Sequence, residues 1–347
     1  MNTITSVEPG TSGSTGSGSA AGETDGSLLP EAMQFHQAGD LEQAKNLYIQ
    51  ELSRRPDSGE ALRLLGMLHY QQGDYVRTVN LMKKVVATNK SASSYNIYGQ
   101  ALLMGGRPEE AATAFRRALE LKQDLAETHF NLGVALQLMG RSEEAVTAFH
   151  MATYFKPDYV AAYIDLGVSL KKAGRLGDAI EAYRKAISHK ADIPQAHYNL
   201  GMALREAGRY DEALVAFQAA LGLRPDYPET LFNLAMTHVA LGRHQDAIDG
   251  YQRLISLRPD VPEVHYNLGE LWLVAGRAGD ALESFATALR LRPEFPEARL
   301  RRGHALQGLG RLAEAAASYR EALELRPDFP AARSGLDEVA RLQGGAA

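Results

Sequence analysis

A small residue returns along this chain at a near-constant interval. Aligning the tripeptide NLG and its variants gives Ala32, Gly66, Gly99, Gly133, Gly167, Gly201, Ala235, Gly269 and Gly303, and every step is 34 residues except the 33 from Gly66 to Gly99. Such a period outranks the about two or three domains that length alone would suggest, because each period is one unit that must stack on its neighbours to bury an apolar face. A second small residue follows twelve places later at Ala44, Ala111, Ala145, Ala179, Ala213, Ala247, Ala281 and Ala315, with Thr78 breaking the series. An aromatic then recurs at Tyr48, Phe115, Phe149, Tyr183, Phe217, Tyr251, Phe285 and Tyr319, where Met82 is the exception. Proline closes many units, at Pro56, Pro157, Pro225, Pro259, Pro293 and Pro327.

The stretch AHYNLGMALREAGRYDEA, residues 196–213, shows why. Leu200, Ala203 and Leu204, then Ala213, Leu214, Phe217 and Leu221, fall at helical spacing, so each unit reads as two amphipathic helices. Gly208 suits a left-handed C-cap after the first helix, and Asp211 is placed to cap the second. Pro225 ends the second helix and Pro228 can open the next. Gly201 and Ala213 lack bulk where the two helices must pass closely, with Phe217 filling the space beside them.

The ends of the array differ from its middle. Residues 1–27, with the tract GTSGSTGSGSAAG, carry too little apolar surface to offset their ordering entropy and read as a disordered tail. Nine units are expected over 28–329, and 330–347 reads as a capping helix and short tail whose Arg333, Asp337, Glu338 and Arg341 give it a polar outer face. The second unit has Thr78, Met82 and Lys90 at three signature positions and lacks one residue, which marks 89–94 as a candidate hinge.

Composition then excludes several classes. The formal net charge is -5, of which Glu8, Glu23 and Asp25 place -3 in the tail, leaving a nearly neutral array with no polyanion-binding signature. Cysteine is absent, which removes disulfides and thiolate chemistry and fits a reducing compartment. There is neither a basic start followed by an apolar run nor any stretch near the roughly 18 apolar residues of a membrane span. A cytoplasmic location without membrane insertion is the expectation.

The 34-residue pattern resembles the tetratricopeptide (TPR) repeat over about 300 residues in nine units. The resemblance implies an all-α, right-handed superhelix, an alpha-alpha solenoid, whose first helices line a concave groove. On that basis the sixth helix position contributes Asn131, Asp165, Asn199, Asn233, Asn267 and Arg301 to the groove, and the fifth contributes Phe130, Tyr198, Phe232 and Tyr266, with Ile164 and Leu300. A carboxamide both donates to and accepts from a peptide backbone. A row of them one repeat apart could hold an extended chain without reading its side chains, and this row resembles the superhelix of O-linked N-acetylglucosamine transferases and their bacterial relatives. Asparagine there also fits as the repeat's common spelling, capping or solvating its helix. The carboxylate clamp of chaperone-tail-binding members is matched only at Asn267 and Arg301; Phe232, Met236 and Glu297 stand where that clamp has Lys, Asn and Lys.

Catalysis by this chain is not expected. No GxxxxGK[ST], HExxH or GxSxG occurs, and no cofactor is implied. His129, His197 and His265 are a whole repeat or more apart, too far across helix layers of roughly 8–10 Å to share a metal with ligands about 2 Å away; they read as packing residues. Trp272, Met202 and Met236 read as packing or groove wall. Arg299, Arg301, Arg302 and Arg311 form the one local basic patch, a solvated face or a carboxylate receptor. Near-neutral charge argues against a helical-repeat RNA reader. The leading expectation is a non-enzymatic scaffold or adaptor that binds a protein or peptide segment. A second reading is the substrate-recognition arm of a glycosyltransferase, whose catalytic domain must then sit on another chain, since the 18 residues after the ninth unit are too few for two Rossmann-like halves. A third is a self-associating structural scaffold.

Overall fold

The computed structural model describes residues 26–344. The expected tail, 1–27, lies outside the described residues except for Gly26 and Ser27, as do residues 345–347. Among the described residues there are nineteen helices and no strand, in two compact units that divide between Gly105 and Gly106. The first unit holds α1 (Leu29–Gln37), α2 (Leu41–Arg54), α3 (Gly59–Gln71), α4 (Tyr75–Thr88) and α5 (Ala92–Met104). The second holds α6 (Pro108–Leu121), α7 (Ala126–Leu138), α8 (Ser142–Phe155), α9 (Val160–Lys172), α10 (Leu176–His189), α11 (Pro194–Glu206), α12 (Tyr210–Leu223), α13 (Pro228–Ala240), α14 (His244–Leu257), α15 (Pro262–Val274), α16 (Ala278–Leu291), α17 (Pro296–Gly308), α18 (Leu312–Leu325) and α19 (Pro330–Gly344). The all-α repeat architecture expected from the period is the one found, with odd-numbered helices as the first and even-numbered helices as the second of each pair.

The turn between paired helices is set by a left-handed glycine. Gly208 has φ +72, its N–H donates to the Arg205 carbonyl at 3.0 Å, and the Arg209 N–H reaches back to the Leu204 carbonyl at 2.9 Å. That pair of bonds is the Schellman motif, and it satisfies carbonyls the helix end would otherwise strand. The second helix starts at once, so Asp211 does not cap it: the N-cap is Arg209, and Asp211 lies within the first turn of α12. A three-residue Ala-Gly-Arg link makes Arg209 the N-cap and leaves no room for a cap two residues later. Asp211 instead faces the positive end of the helix dipole and pairs with Arg243 of the next repeat at 2.8 Å. Among the described residues, true aspartate caps occur only in the first unit, where Asp40 accepts from the Gln43 N–H and Asp74 from the Arg77 N–H.

Close helix approach explains the packing glycines. A Cβ placed on Gly201 would stand 2.6 Å from Cε1 of Phe217, inside any tolerable contact. The aromatic series from Tyr48 to Tyr319 is essentially fully buried, and so is the alanine series twelve places after the glycines. At about 25 cal/mol per Å² of apolar surface, each buried ring contributes on the order of 3 kcal/mol. The seventh repeat departs from the pattern by complementary changes: Ala235 replaces the glycine, and Gly250 on α14 supplies the room, its Cβ position lying 3.2 Å from that of Ala235. In the second repeat Met82 is fully buried in the aromatic's place, and Thr78 Oγ1 donates to the Gly66 carbonyl at 3.2 Å. Of the segment 89–94, residues 89–91 link α4 to α5 and 92–94 form the first turn of α5, capped by Ser91 Oγ, which accepts from the Ser94 N–H.

Within the second unit each helix packs on the next in order, and α7 with α9, α9 with α11, α11 with α13 and α15 with α17 also touch. First helices therefore approach their counterparts more closely than second helices do, which makes their side the inner side of the stack. At the far end α19 packs on α18 and α17 with Ala332 and Val339 buried, while Arg333, Asp337, Glu338 and Arg341 are exposed.

Candidate functional site

The inner face of the second unit is built from three positions on each first helix, spaced three residues apart so that they share one side. Nearest the helix start are Asn131, Asp165, Asn199, Asn233, Asn267 and Arg301; Asn233 is buried and the others are half-buried. One turn on stand Val134, Val168, Met202 and Met236, all half-buried, followed by Glu270 and His304. A further turn brings Gln137, Lys171 and Arg205, again half-buried. Of the fifth-position aromatics Phe130 is buried, and Tyr198, Phe232 and Tyr266 are half-buried. Phe130 packs on Phe149 and Tyr159 (ring centroids 5.6 and 5.0 Å), Tyr198 on Phe217 and Tyr227 (6.1 and 5.3 Å), Phe232 on Tyr251 (6.0 Å), and Tyr266 on Phe285 and Phe295 (5.9 and 5.0 Å). Each ring packs on the second-helix aromatic of its own repeat, and Phe130, Tyr198 and Tyr266 also reach the aromatic that starts the next.

The asparagines are not equivalent. Asn233 Nδ2 donates to the Glu229 carbonyl at 2.8 Å and to the Tyr198 hydroxyl at 3.4 Å, so it is largely used up inside the fold. Asn199 Oδ1 accepts from Gln195 Nε2 at 2.8 Å, and Gln195 in turn accepts from the Tyr227 hydroxyl, which leaves the Asn199 amide hydrogens free. Asn267 faces the buried Tyr251 phenol, which burial pushes up to about 12 while the amide opposes the rise. Asn131 has no hydrogen-bond partner among the described residues. Arg301 pairs with Glu270 at 3.0 Å and faces the Tyr266 hydroxyl.

Asp165 differs from the rest. Burial pushes its carboxyl up to about 6, and its charge adds to the raised phenols of Tyr159 and Tyr183, which burial lifts first. Gln137 Nε2 donates to its main-chain carbonyl at 3.0 Å and to Ser169 Oγ at 2.7 Å, but no side chain among the described residues pairs with the carboxylate. Lys171 is taken by Glu206 at 2.9 Å. Arg205, which the repeat pattern did not single out, is half-buried with a buried Nε that lacks a hydrogen-bond partner. Its i+6 spacing from Asn199 on the same helix side was the available signal.

The other candidates resolve into structural parts. His129, His197 and His265 each donate from Nε2 to a carbonyl six residues back, of Gln123, Ala191 and Pro259, at 2.8, 2.8 and 2.9 Å. Arg299 and Arg333 occupy the same position and reach Pro293 and Pro327 in the same way. These side chains latch the turn between repeats, a role beyond packing. The basic patch is internally neutralised: Arg299 and Arg302 pair with Glu321, Arg301 with Glu270 and Arg311 with Glu314. Trp272 is buried under the Arg277 guanidinium, 4.0 Å from its ring centre. Two shallow depressions involve second helices, one lined by Arg184, His197, Glu212 and Val215, the other by His265, Trp272, Arg277 and Glu283, and neither includes the asparagine row. Among the described residues no cluster of three or more potential ligands could hold a metal ion, and no helix is long and apolar enough to cross a membrane.

No curated protein matches the chain in sequence. Among solved structures it is similar to MamA, at 25% identity over 48% of this chain and 91% of that one with a TM-score of 0.46. It is also similar to YrrB, described as a TPR protein with an unusual peptide-binding site, at 23% identity over 52% and 93% with a TM-score of 0.48. The APC/C hetero-tetramer Cut9-Hcn1 matches at 17% identity over 86% of this chain and 59% of that chain, with a TM-score of 0.46. A tetratricopeptide-repeat family model matches residues 30–77, 164–228, 275–330 and 300–344, more than half of the length, and others match 204–271, 126–159 and 262–287. Matches on that scale, on helices paired as the 34-residue period requires, mean that the chain belongs to the tetratricopeptide-repeat family.

Proposed function

We propose that this protein is a non-catalytic adaptor that holds an extended segment of a partner protein along the first-helix face of its second unit. One observation carries the reading: polar side chains of one size, Asn131, Asp165, Asn199 and Asn267, recur at one position per repeat, half-exposed beside a stripe of Val134, Val168 and Met202. Such a surface gives a strand of polypeptide backbone hydrogen bonds at intervals of about three residues, one helix spacing of roughly 8–10 Å against about 3.3 Å per extended residue. The apolar stripe receives side chains between them. Pure packing would not need amide hydrogens left free at Asn131 and Asn199.

The test uses peptides selected from a random displayed library on the full chain. Replacing Asn131, Asn199 and Asn267 together by alanine removes up to three hydrogen bonds of about 0.5–1.5 kcal/mol each, so affinity should fall about tenfold to a thousandfold. Unchanged affinity with an intact helical fold would refute the reading.

A further inference from the structure

Two charged side chains on the inner face have no counterpart among the described residues. Asp165 on α9 is half-buried, and its carboxylate is unpaired among the described residues. Two sixth-position residues, Asn233 and Arg301, each meet a tyrosine hydroxyl at the fifth position of the preceding repeat, Tyr198 and Tyr266. The residue in that place before Asp165 is Phe130, which has no hydrogen to give. Arg205 on α11, one repeat further on, is half-buried with an unpartnered Nε, whereas Lys171 and Arg301 on the same face are paired to Glu206 and Glu270. A half-buried charge without a partner is costly to keep. Both costs fall at once if an outside molecule supplies the opposite charges.

We infer that the segment held in this groove carries a lysine or arginine side chain against Asp165 and an acidic side chain against Arg205. The inference rests on the extended-segment reading and adds the chemistry and direction of the occupant. Arg205 is displaced from the Asp165 level by six residues, about 9 Å along the helix, and by one helix spacing of roughly 8–10 Å across. The two partner side chains are then about four extended residues apart. Because the charges differ in sign, only one chain direction satisfies both, which the asparagines alone cannot enforce. The raised Asp165 carboxyl agrees with this: a cation in contact would offset the burial that raises it.

Panning a random peptide library on the immobilised full chain, on Asp165→Asn and on Arg205→Gln tests the inference. Peptides recovered on the wild type should pair a basic residue with an acidic one about four positions away, always in the same order. Asp165→Asn should lose the basic preference and keep the acidic one, and Arg205→Gln the reverse. For one selected peptide made synthetically, exchanging its basic residue for glutamine should weaken wild-type binding about tenfold and leave Asp165→Asn binding within about twofold. Selected peptides without basic enrichment, or an enrichment that persists in Asp165→Asn, overturn the charge assignment and leave backbone holding intact. Recovery of no peptide above background overturns the extended-segment reading together with it. Should Asp165→Asn lose its helical circular dichroism, the peptide-side exchange on the wild type decides alone, and an unchanged affinity there overturns the inference.

Discussion

If Asp165 is held in the fold at a cost, Asp165→Asn should stabilise the ligand-free protein, and only above a definite pH. Burial raises the carboxyl from its ordinary 3.8 to about 6. In the unfolded chain it loses its proton near pH 4, and in the folded protein near pH 6. Between these values the folded state holds the extra proton, so stability falls as pH rises from about 4 to about 6, and the penalty is complete above 6. A rise from 3.8 to about 6, at about 1.4 kcal/mol per tenfold change in proton affinity, would give about 3 kcal/mol. The carboxylate keeps some contact with water, so about 1–3 kcal/mol is the expected range. The amide has the same shape without the charge. Its gain should appear at pH 7.5 and vanish at pH 4. Hydrogen exchange of α9 and α10 measures the gain locally, which matters because repeat arrays open by neighbouring units and need not melt as one. Equal stabilisation at both pH values would refute the reasoning, and so would a loss at pH 7.5, since either result means that the carboxylate is well solvated or already paired.

Gly201→Leu drives a side chain into Phe217, 2.6 Å from the Cβ position, and should cost at least about 1–3 kcal/mol; exchange should quicken around α11–α14, and uniform quickening throughout the protein would contradict stacking by nearest neighbours. His238 replaces the leucine found at Leu136, Leu170 and Leu204, and its Nδ1 is buried without a hydrogen bond, 3.7 Å from Asp246. Burial holds His238 below its usual value, so its contribution to stability is present above about pH 6.5 and falls away below it as the unfolded chain takes up the proton. His238→Leu should remove that slope in melts between pH 7.5 and 5, and an unchanged slope would exclude His238 as its source. Tyr198→Phe removes a partner of Asn233; it should cost about 0.5–1.5 kcal/mol in a thermal melt while tightening a groove-bound peptide by calorimetry, and weakened binding would show that Asn233 serves the groove only when held.

Much of this architecture was legible because it repeats. The Gly208 cap and the Gly201–Phe217 contact are local consequences of helix geometry, so residue type and spacing suffice to read them. Asp211 was misread for a related reason: aspartate favours N-caps, but the cap position depends on how soon the chain leaves the Schellman turn, and it leaves immediately. The histidine latches escaped notice because their acceptors are main-chain carbonyls, which have no letter in a sequence. Pairing on the inner face was hidden more deeply. Lys171 with Glu206 and Arg301 with Glu270 lie one repeat apart on different helices, and composition alone cannot tell a paired Lys171 from an unpaired Arg205.

The row of sixth-position residues shows where a finer sequence rule emerges. Asn199 and Asn233 sit in nearly the same words, HYNLG and LFNLA, yet one keeps free amide hydrogens and the other does not. The difference lies a repeat earlier, at the fifth position. Ile164 precedes Asn199, Phe130 precedes Asp165 and Phe232 precedes Asn267, and none has a hydroxyl to offer; Tyr198 precedes Asn233 and Tyr266 precedes Arg301, and both tyrosines are engaged. A stacked repeat places the fifth side chain of one first helix beside the sixth of the next, so a tyrosine there engages its neighbour, whereas an apolar residue leaves that neighbour to the groove or to other partners, as Asn267 meets the Tyr251 phenol. The groove's chemistry is therefore written in pairs of residues 35 apart in the chain, as Tyr198 and Asn233 are, and not in the 34-residue repeat itself.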